Sequence, residues 1–322
     1  MDEGRIDMSV IIVSWNVKGF LEKCLGSIYK FTEGISFEVF VVDNNSSDGS
    51  VEMAAALFCA ARLIRNKENL GFAAASNQAL EKAAGRYILF LNPDTELTDN
   101  AFKKMADFMD THQDAAAIGC KLLNSDLSVQ QSTRHFPSLF TDLMENLYLE
   151  WSFPKSRFFN RCHMGFWDHS YTRQVDVPYG ACLMVRNETL KKTGPMDVSF
   201  FMYYDEIDLC CRIKKLGGKI YYVSDISIIH HGNKSSNQSA ENCNRWKTQS
   251  KLTFFKKHYG PIGIAGILFN LALQALILWG PLSLWHMLSG YPRDIADIKR
   301  QAAFNWREYM NFIKNQKGPA VK

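Results

Sequence analysis

Three carboxylates, Asp205, Glu206 and Asp208, follow the aromatic run Phe200-Phe201-Met202-Tyr203-Tyr204 at what reads as a helix start. At helical spacing Asp205 and Asp208 share a face, while Glu206 points about 100° away. A carboxylate beside bulky rings can take a proton from a hydroxyl. Acids at a helix start also complement its dipole, a purely structural role, and Asp208 has Arg212 at i+4 as a partner. A second candidate lies upstream, where the apolar run ending Phe90-Leu91 meets Asn92-Pro93-Asp94. An aspartate there could hold a metal ion and, through it, a phosphate.

The elements that must position these groups follow from residues 8 to 120. Ser9 to Ser14 is a β-branched run of the kind buried on both faces. A helix-type segment from Lys18 to Lys30, a strand from Glu38 to Val42 and a helix from Ser50 to Phe58 come next. Arg62 to Arg65 reads as a short strand, Phe72 to Ala84 as helix, Arg86 to Leu91 as strand and Asp99 to Met109 as helix. Repeated strand-helix units predict an α/β fold, a Rossmann-like, mostly parallel sheet with helices on both faces. Ligands of such sheets bind at the carboxyl ends of the strands. The polar segments fall there: Asn16 after the first strand, Asp43 to Gly49 after the second, Asn69-Leu70-Gly71 after the third, Asn92-Pro93-Asp94 after the fourth. Four polar loops on one rim suit a nucleotide, although each alone is also ordinary cap and turn chemistry. Neither G-x-G-x-x-G after the first strand nor a P-loop is present, which argues against a dinucleotide or P-loop site.

Further on, Cys120 to Pro178 is irregular and aromatic, Gly180 to Arg186 resumes strand character, and Lys219–Val223 with Ile226–Ile229 reads as a strand pair ending at His230-His231-Gly232. A helix from Glu241 to Tyr259 closes the domain in this reading. With a net charge of +4 over 322 residues and no run of Lys and Arg that tracks a nucleic-acid-binding helix, nucleic acid is not an expected partner. Eight cysteines without C-x-x-C or metal spacing read as thiols of a reducing compartment. Met1 to Asp7 does not read as a signal peptide.

Taken in order, Ser9–Asn16, Val41-Val42-Asp43-Asn44-Asn45-Ser46-Ser47-Asp48-Gly49-Ser50, Asn69-Leu70-Gly71-Phe72-Ala73, Leu91-Asn92-Pro93-Asp94, Gly180–Met184, the acid cluster and His230-His231-Gly232 resemble the family-2-type inverting glycosyltransferases of the GT-A fold, in their bacterial rhamnosyltransferase-like branch. The resemblance covers residues 8 to 258 and implies a catalytic domain over 1–258. It implies that Ser14, Asn16 and Asp43 meet uracil or thymine, and that Asn69, Gly71 and Phe72 approach ribose and phosphates. The family's D-x-D reads Asn92-Pro93-Asp94, so its first acid is missing. That leaves Asn92 to the donor and Asp94 as the ligand for Mg²⁺ or Mn²⁺. His230 matches a histidine near the diphosphate that can complete the metal shell, and as a loop residue it can equally cap a strand end. The family base lies in a Glu-Asp pair that is inverted here, so by position Glu206 and by residue type Asp205 matches; Glu206 is favoured.

The implied activity moves a sugar, rhamnose among the candidates, from a dTDP- or UDP-sugar to a lipid-linked glycan acceptor with inversion, for surface polysaccharide. A catalytically inactive membrane-bound scaffold and a sugar nucleotidyltransferase are the alternatives. Pro261 to Gly290 carries no Lys, Arg, Asp or Glu, and Ile262–Trp279 is almost wholly apolar over 18 residues. That is about 27 Å of helix, the lower limit for a span. Asn270, Gln274 and Gly280-Pro281 interrupt it, and basic residues flank both sides. We therefore expect residues 259–322 to form a membrane-associated helical hairpin, monotopic or re-entrant, breaking at Gly280-Pro281, with a basic amphipathic helix from Arg293 to Lys314. The protein then sits on the cytoplasmic face of the inner membrane; a single span and a buried helix pair are the alternatives.

Overall fold

The computed structural model describes residues 6–232, 240–278 and 295–315. They divide into two units, Met1–His135 with Asp168–Ala240, and Phe136–Trp167 with Glu241–Lys322.

The first unit holds β1 (Met8–Ser14), α1 (Lys18–Phe31), β2 (Phe37–Asp43), α2 (Ser50–Leu57), β3 (Arg62–Arg65), α3 (Phe72–Leu80), β4 (Tyr87–Leu91), β5 (Thr95–Glu96), α4 (Ala101–Thr111), β6 (Ala115–Leu123) and β7 (Thr133–Arg134). The second unit inserts α5 (Leu139–Asn146) and α6 (Leu149–Ser152). The first unit then resumes with β8 (Arg173–Gln174), β9 (Val177–Pro178), β10 (Cys182–Arg186), α7 (Asn187–Thr193), α8 (Asp205–Lys215) and β11 (Lys219–His230). The main sheet runs β3-β2-β1-β4-β10-β6-β11-β5. From β3 to β11 its strands share one direction except β10, which runs antiparallel between β4 and β6. Period-2 alternation turns Val10 and Ile12 into a core shared with Leu21, Cys24 and Leu25 of α1 and Phe102, Met105 and Met109 of α4. On the opposite face α3 packs against β1 and β2, and α8 against β11. Helices thus cover both faces, as the strand-helix repeat predicts.

One expectation is corrected. Lys219–Ile229 is not a strand pair. It lies within the single strand β11, whose register against β6 shifts between Val223 and Ser227, with both halves parallel to β6. Ser224 and Asp225 fall in this irregularity, and the apolar residues on either side of them pair with the same neighbouring strand. The division into compact units is a different one from the expected domains 1–258 and 259–322. Residues 136–167 and 241–258 group with the C-terminal helices instead.

The reason for that grouping is a buried polar network in the second unit, which also contains α9 (Ala240–Leu278) and α10 (Ile295–Asn315). Lys251 Nζ donates at 2.8 Å to both Asp142 and Glu145 of α5. Helix α9 is broken at Gly260 (φ 63°, ψ −152°), directly before Pro261. Beyond the break, Asn270 donates to the Leu139 carbonyl (2.8 Å) and to Asp142 (2.9 Å), and Gln274 donates to the Asn146 carbonyl. These two amides therefore do not interrupt an apolar surface. They point inward, while Ile262, Phe269 and Leu276 are 76%, 66% and 73% exposed. Ile267 and Leu271 are buried beside them, so the inward face mixes amides with apolar side chains while large apolar side chains also lie outside. The expected break at Gly280-Pro281 and the start at Arg293 lie outside the described residues, and α10 occupies most of the expected amphipathic segment.

Candidate active site

Register carries the four loops to one rim. Ser14 pairs with Asp43, and Asp43 with Arg65, at the ends of β1, β2 and β3. Leu91 ends β4 opposite Cys182, where antiparallel β10 begins, so Gly180-Ala181 reach the same edge.

Ser14 and Asp43 are buried side by side. Among the described residues the Ser14 hydroxyl and Asp43 Oδ1 have no hydrogen-bond partner, although Asp43 Oδ2 accepts from the Ser46 amide at 3.0 Å. A buried polar atom without a partner calls for an explanation, and a ligand is one. A narrow cleft beside Asp43 is walled by Val51, Leu63 and Ile64. Asn16, expected at the base, also ties loops together. It sits at φ 53°, and its side-chain oxygen accepts from the Ser47 amide at 2.7 Å. Asn69 likewise accepts from the Gly71 amide at 3.0 Å and so forms the turn. Gly71 has φ +80°, and a Cβ there would lie 2.2 Å from the Phe201 carbonyl. The Phe72 amide donates to that same carbonyl at 2.8 Å. A chain of amides supports this segment, from Gln78 to Asn66, Asn66 to Asn44, and Asn44 to the Gly71 carbonyl.

Strand β5 pairs antiparallel with β11, Thr95 opposite His230, which brings Asp94 to the histidine. His230 Nε2 lies 3.5 Å from Asp94 Oδ1 and 3.5 Å from Asn92 Nδ2. Asp94 and His230 are both buried. The neighbouring His231 is engaged elsewhere, with Glu96 at 3.3 Å and Ser125 at 2.8 Å. Among the described residues no group of three His, Cys, Asp or Glu side chains forms a metal cluster. Asp94 and His230 thus offer two donors, and a hard divalent ion commonly takes its remaining ligands from phosphate oxygens and water.

The acid cluster opens α8 behind two consecutive left-handed residues, Tyr203 (φ 66°) and Tyr204 (φ 64°). Left-handed bulky residues cost energy and persist where the surroundings hold them. Here the Phe201 carbonyl is held by Phe72, and Asn77 grips both the amide and the carbonyl of Met196 at 3.0 and 2.8 Å. Asp205 is buried, and burial, reinforced by the charges of Glu206 and Asp208, holds its carboxyl well above the usual range. Glu206 is half-buried and has neither hydrogen bond nor ion pair among the described residues. It lies against Gly180, where a Cβ would sit 3.3 Å from Glu206 Cγ. Asp208 is fully buried and paired with Arg212 at 2.8 Å.

Three residues that sequence reasoning missed complete the rim. Tyr179 stacks edge-on to His230 with centroids 5.9 Å apart, and Arg134 lies 5.6 Å over the Tyr179 ring. Burial raises the Tyr179 hydroxyl, Arg134 opposes this, and the charges of Glu206 and Asp94 add to it, so both acids lie within electrostatic reach of one ring. The third is Gln130, 2.9 Å from His230 Nδ1. Arg134 and Gln130 sit in an irregular stretch with no local signal. A concavity of about 480 Å³ at the amino edge of the sheet is no rival, because its Arg86 is paired with Asp7 and Asp110 and its Arg186 bonds the Met109, His112 and Ala115 carbonyls.

A family model described as Glycosyl transferase family 2 matches residues 9–192. The N-acetylglucosaminyl-diphospho-decaprenol L-rhamnosyltransferase of Mycobacterium tuberculosis is 27% identical over 235 residues, covering 70% of this chain and 76% of the relative. Rhamnosyltransferase WbbL of Escherichia coli is 24% identical over 53% of this chain and 62% of its own length. The solved mannosyltransferase PcManGT of Pyrobaculum calidifontis, in complex with GDP-Man and Mn²⁺, aligns with a TM-score of 0.56 at 16% identity over 97% of this chain and 88% of its own. That likeness shows a common GT-A fold.

Proposed function

The chain belongs to glycosyl transferase family 2, and from that premise we propose that it moves a sugar, L-rhamnose by preference, from a nucleoside-diphosphate donor to a lipid-linked saccharide with inversion. One observation carries this reading. The rim collects two orphaned polar atoms fit for a base, a buried Asp94–His230 pair, and an uncommitted carboxylate at Glu206.

Asp43 Oδ1 would accept an N–H of uracil or thymine, and the Ser14 hydroxyl would add a second contact. Gly71, bare of a side chain, lets the backbone approach ribose and phosphate. Asp94 and His230 would hold Mg²⁺ or Mn²⁺, which when bound neutralises the charge growing on the leaving diphosphate. Glu206 takes the proton of the acceptor hydroxyl as that oxygen bonds to the anomeric carbon on the side opposite the diphosphate. The anomeric C–O bond breaks in the same displacement, and its electron pair leaves with the diphosphate. Asp205, whose carboxyl burial and the neighbouring charges hold well above the usual range, is the second candidate for the base and sits at the helix start. The Mycobacterium tuberculosis relative acts, by its name, on an N-acetylglucosaminyl-diphospho-decaprenol, which supports a lipid-linked acceptor here.

The outward face of Ile262, Phe269 and Leu276 would dip into the cytoplasmic leaflet, with exposed Lys256 and Lys257 one turn before it meeting anionic headgroups. Incubating the full chain with dTDP-rhamnose or UDP-sugars, a polyprenyl-diphospho-saccharide and Mn²⁺ tests the proposal. Chain extension with inverted anomeric configuration is expected. Absence of both transfer and donor hydrolysis across the donor panel would overturn it.

A further inference from the structure

We propose that Gln130 is a positioning residue that fixes the tautomer of His230, so that the ring presents a bare Nε2 beside Asp94. The inference rests on the cation assignment above, and its reasoning is one of hydrogen-bond parity.

The Gln130 backbone is anchored by its amide, which donates to the Leu122 carbonyl at 2.8 Å. Its side-chain Nε2 lies 2.7 Å from the His230 carbonyl and 2.7 Å from Asn124 Oδ1. A main-chain carbonyl can only accept, so the amide nitrogen must face it and the amide oxygen must face the other way. That oxygen lies 2.9 Å from His230 Nδ1. An amide oxygen carries no hydrogen, so Nδ1 must donate, and in the neutral ring Nε2 is then the atom with the lone pair. Nε2 faces Asp94 Oδ1 at 3.5 Å, two electron-rich atoms in a buried setting. With the ring neutral these lone pairs repel, and Asn92 Nδ2, 3.5 Å from the same Nε2, can donate to the ring nitrogen. A divalent ion or a proton on Nε2 relieves the repulsion, and we assign the ion. A metal-bound histidine whose other nitrogen donates to an oxygen is the usual arrangement for holding ring and tautomer. Gln130 supplies that oxygen from 100 residues away in the chain.

The test uses the full chain, ¹⁵N-labelled at histidine, and compares Gln130→Met with Gln130→Glu. Long-range nitrogen–proton correlation of His230, assigned by loss of the signal in His230→Ala, reads the tautomer without any metal. Mn²⁺ titration in the presence of nucleoside diphosphate, followed by electron paramagnetic resonance, reads affinity. We expect the Nδ1–H form in wild type and in Gln130→Glu, which keeps an acceptor for Nδ1. Gln130→Met should lose that bias and bind Mn²⁺ about 10- to 100-fold more weakly, while Gln130→Glu stays within a few-fold of wild type. An unchanged tautomer in Gln130→Met would overturn the inference, as would a shifted tautomer with unchanged Mn²⁺ affinity. Thermal unfolding checks that both variants fold, and Gln130→Leu substitutes if the methionine variant does not. Wild-type Mn²⁺ affinity in both Asp94→Ala and His230→Ala would instead refute the cation site, whatever the tautomer shows.

Discussion

The Phe201 carbonyl accepts the Phe72 amide at 2.8 Å, so the loop leading to the acid cluster is docked on the start of α3, next to Gly71. The Asn69–Phe72 loop and the segment that leads to Glu206 are therefore joined by a hydrogen bond.

Gly71→Ala tests that coupling. Its φ of +80° is costly for alanine, and the added methyl would collide with the Phe201 carbonyl. A left-handed alanine alone costs about 1–2 kcal/mol. We expect a lower melting temperature together with a turnover loss larger than the change in donor affinity. Wild-type turnover in a destabilised variant would show that the dock does not align the base.

Glu206→Gln should lower turnover by about 10² to 10⁴, the usual worth of a general base, with donor affinity nearly unchanged. Asp205→Asn should be milder. If Asp205→Asn is the deeper lesion at equal donor affinity, the base assignment reverses.

Stability against pH gives an independent reading of Asp205. Its carboxyl is raised on folding, chiefly by burial and then by the charge of Glu206. Such a group favours the native state fully below its unfolded value, and the contribution is lost as pH rises through the folded value. Asp205→Asn removes the loss. The variant should melt above wild type at neutral pH, with the advantage shrinking to nothing below about pH 4. The same difference in melting temperature at both ends of that range would contradict a raised carboxyl.

Asp94→Ala should abolish metal-dependent transfer and leave the melting temperature close to wild type, since Asp94 occupies the rim beyond β4 rather than the apolar core. Turnover equal to wild type, or loss traced to unfolding, defeats the assignment.

Replacing Ile262, Phe269 and Leu276 together by serine should release the protein from anionic vesicles in flotation. The changes remove exposed apolar surface and leave the inward Asn270 and Gln274 bonds in place. Soluble-donor binding should be spared, and transfer to a lipid-linked acceptor should fall. Vesicle binding equal to wild type would show that this face does not meet lipid.

The residue types around Asp43, Gly71, Asp94 and Glu206 could be read directly, because loops at strand ends carry local signals: Asn and Gly where the chain turns, acids where an apolar run stops. The β-branched run of Ser9–Ser14 and the strand-helix alternation likewise announce a buried, mostly parallel sheet, since periodicity records which faces are covered. What those residues touch was not legible. Asn16 holds the Ser47 amide of a neighbouring loop, and Asn69 holds the Gly71 amide two residues on in its own turn. Asn270 and Gln274 look like breaks in an apolar stretch until α5 supplies their partners.

By itself the sequence determined the fold class, the rim and the acids on it, because each depends on neighbours within a few residues. Only the tertiary structure decided that β10 inserts antiparallel between β4 and β6, that β5 folds back to set Asp94 against His230, and that Gln130, Arg134 and Tyr179 surround that pair. Strand order and register bring together residues up to 138 positions apart, such as Asn92 and His230. Such pairings leave no trace in local periodicity, since the free energy that selects them comes from burial and hydrogen bonding across the whole sheet.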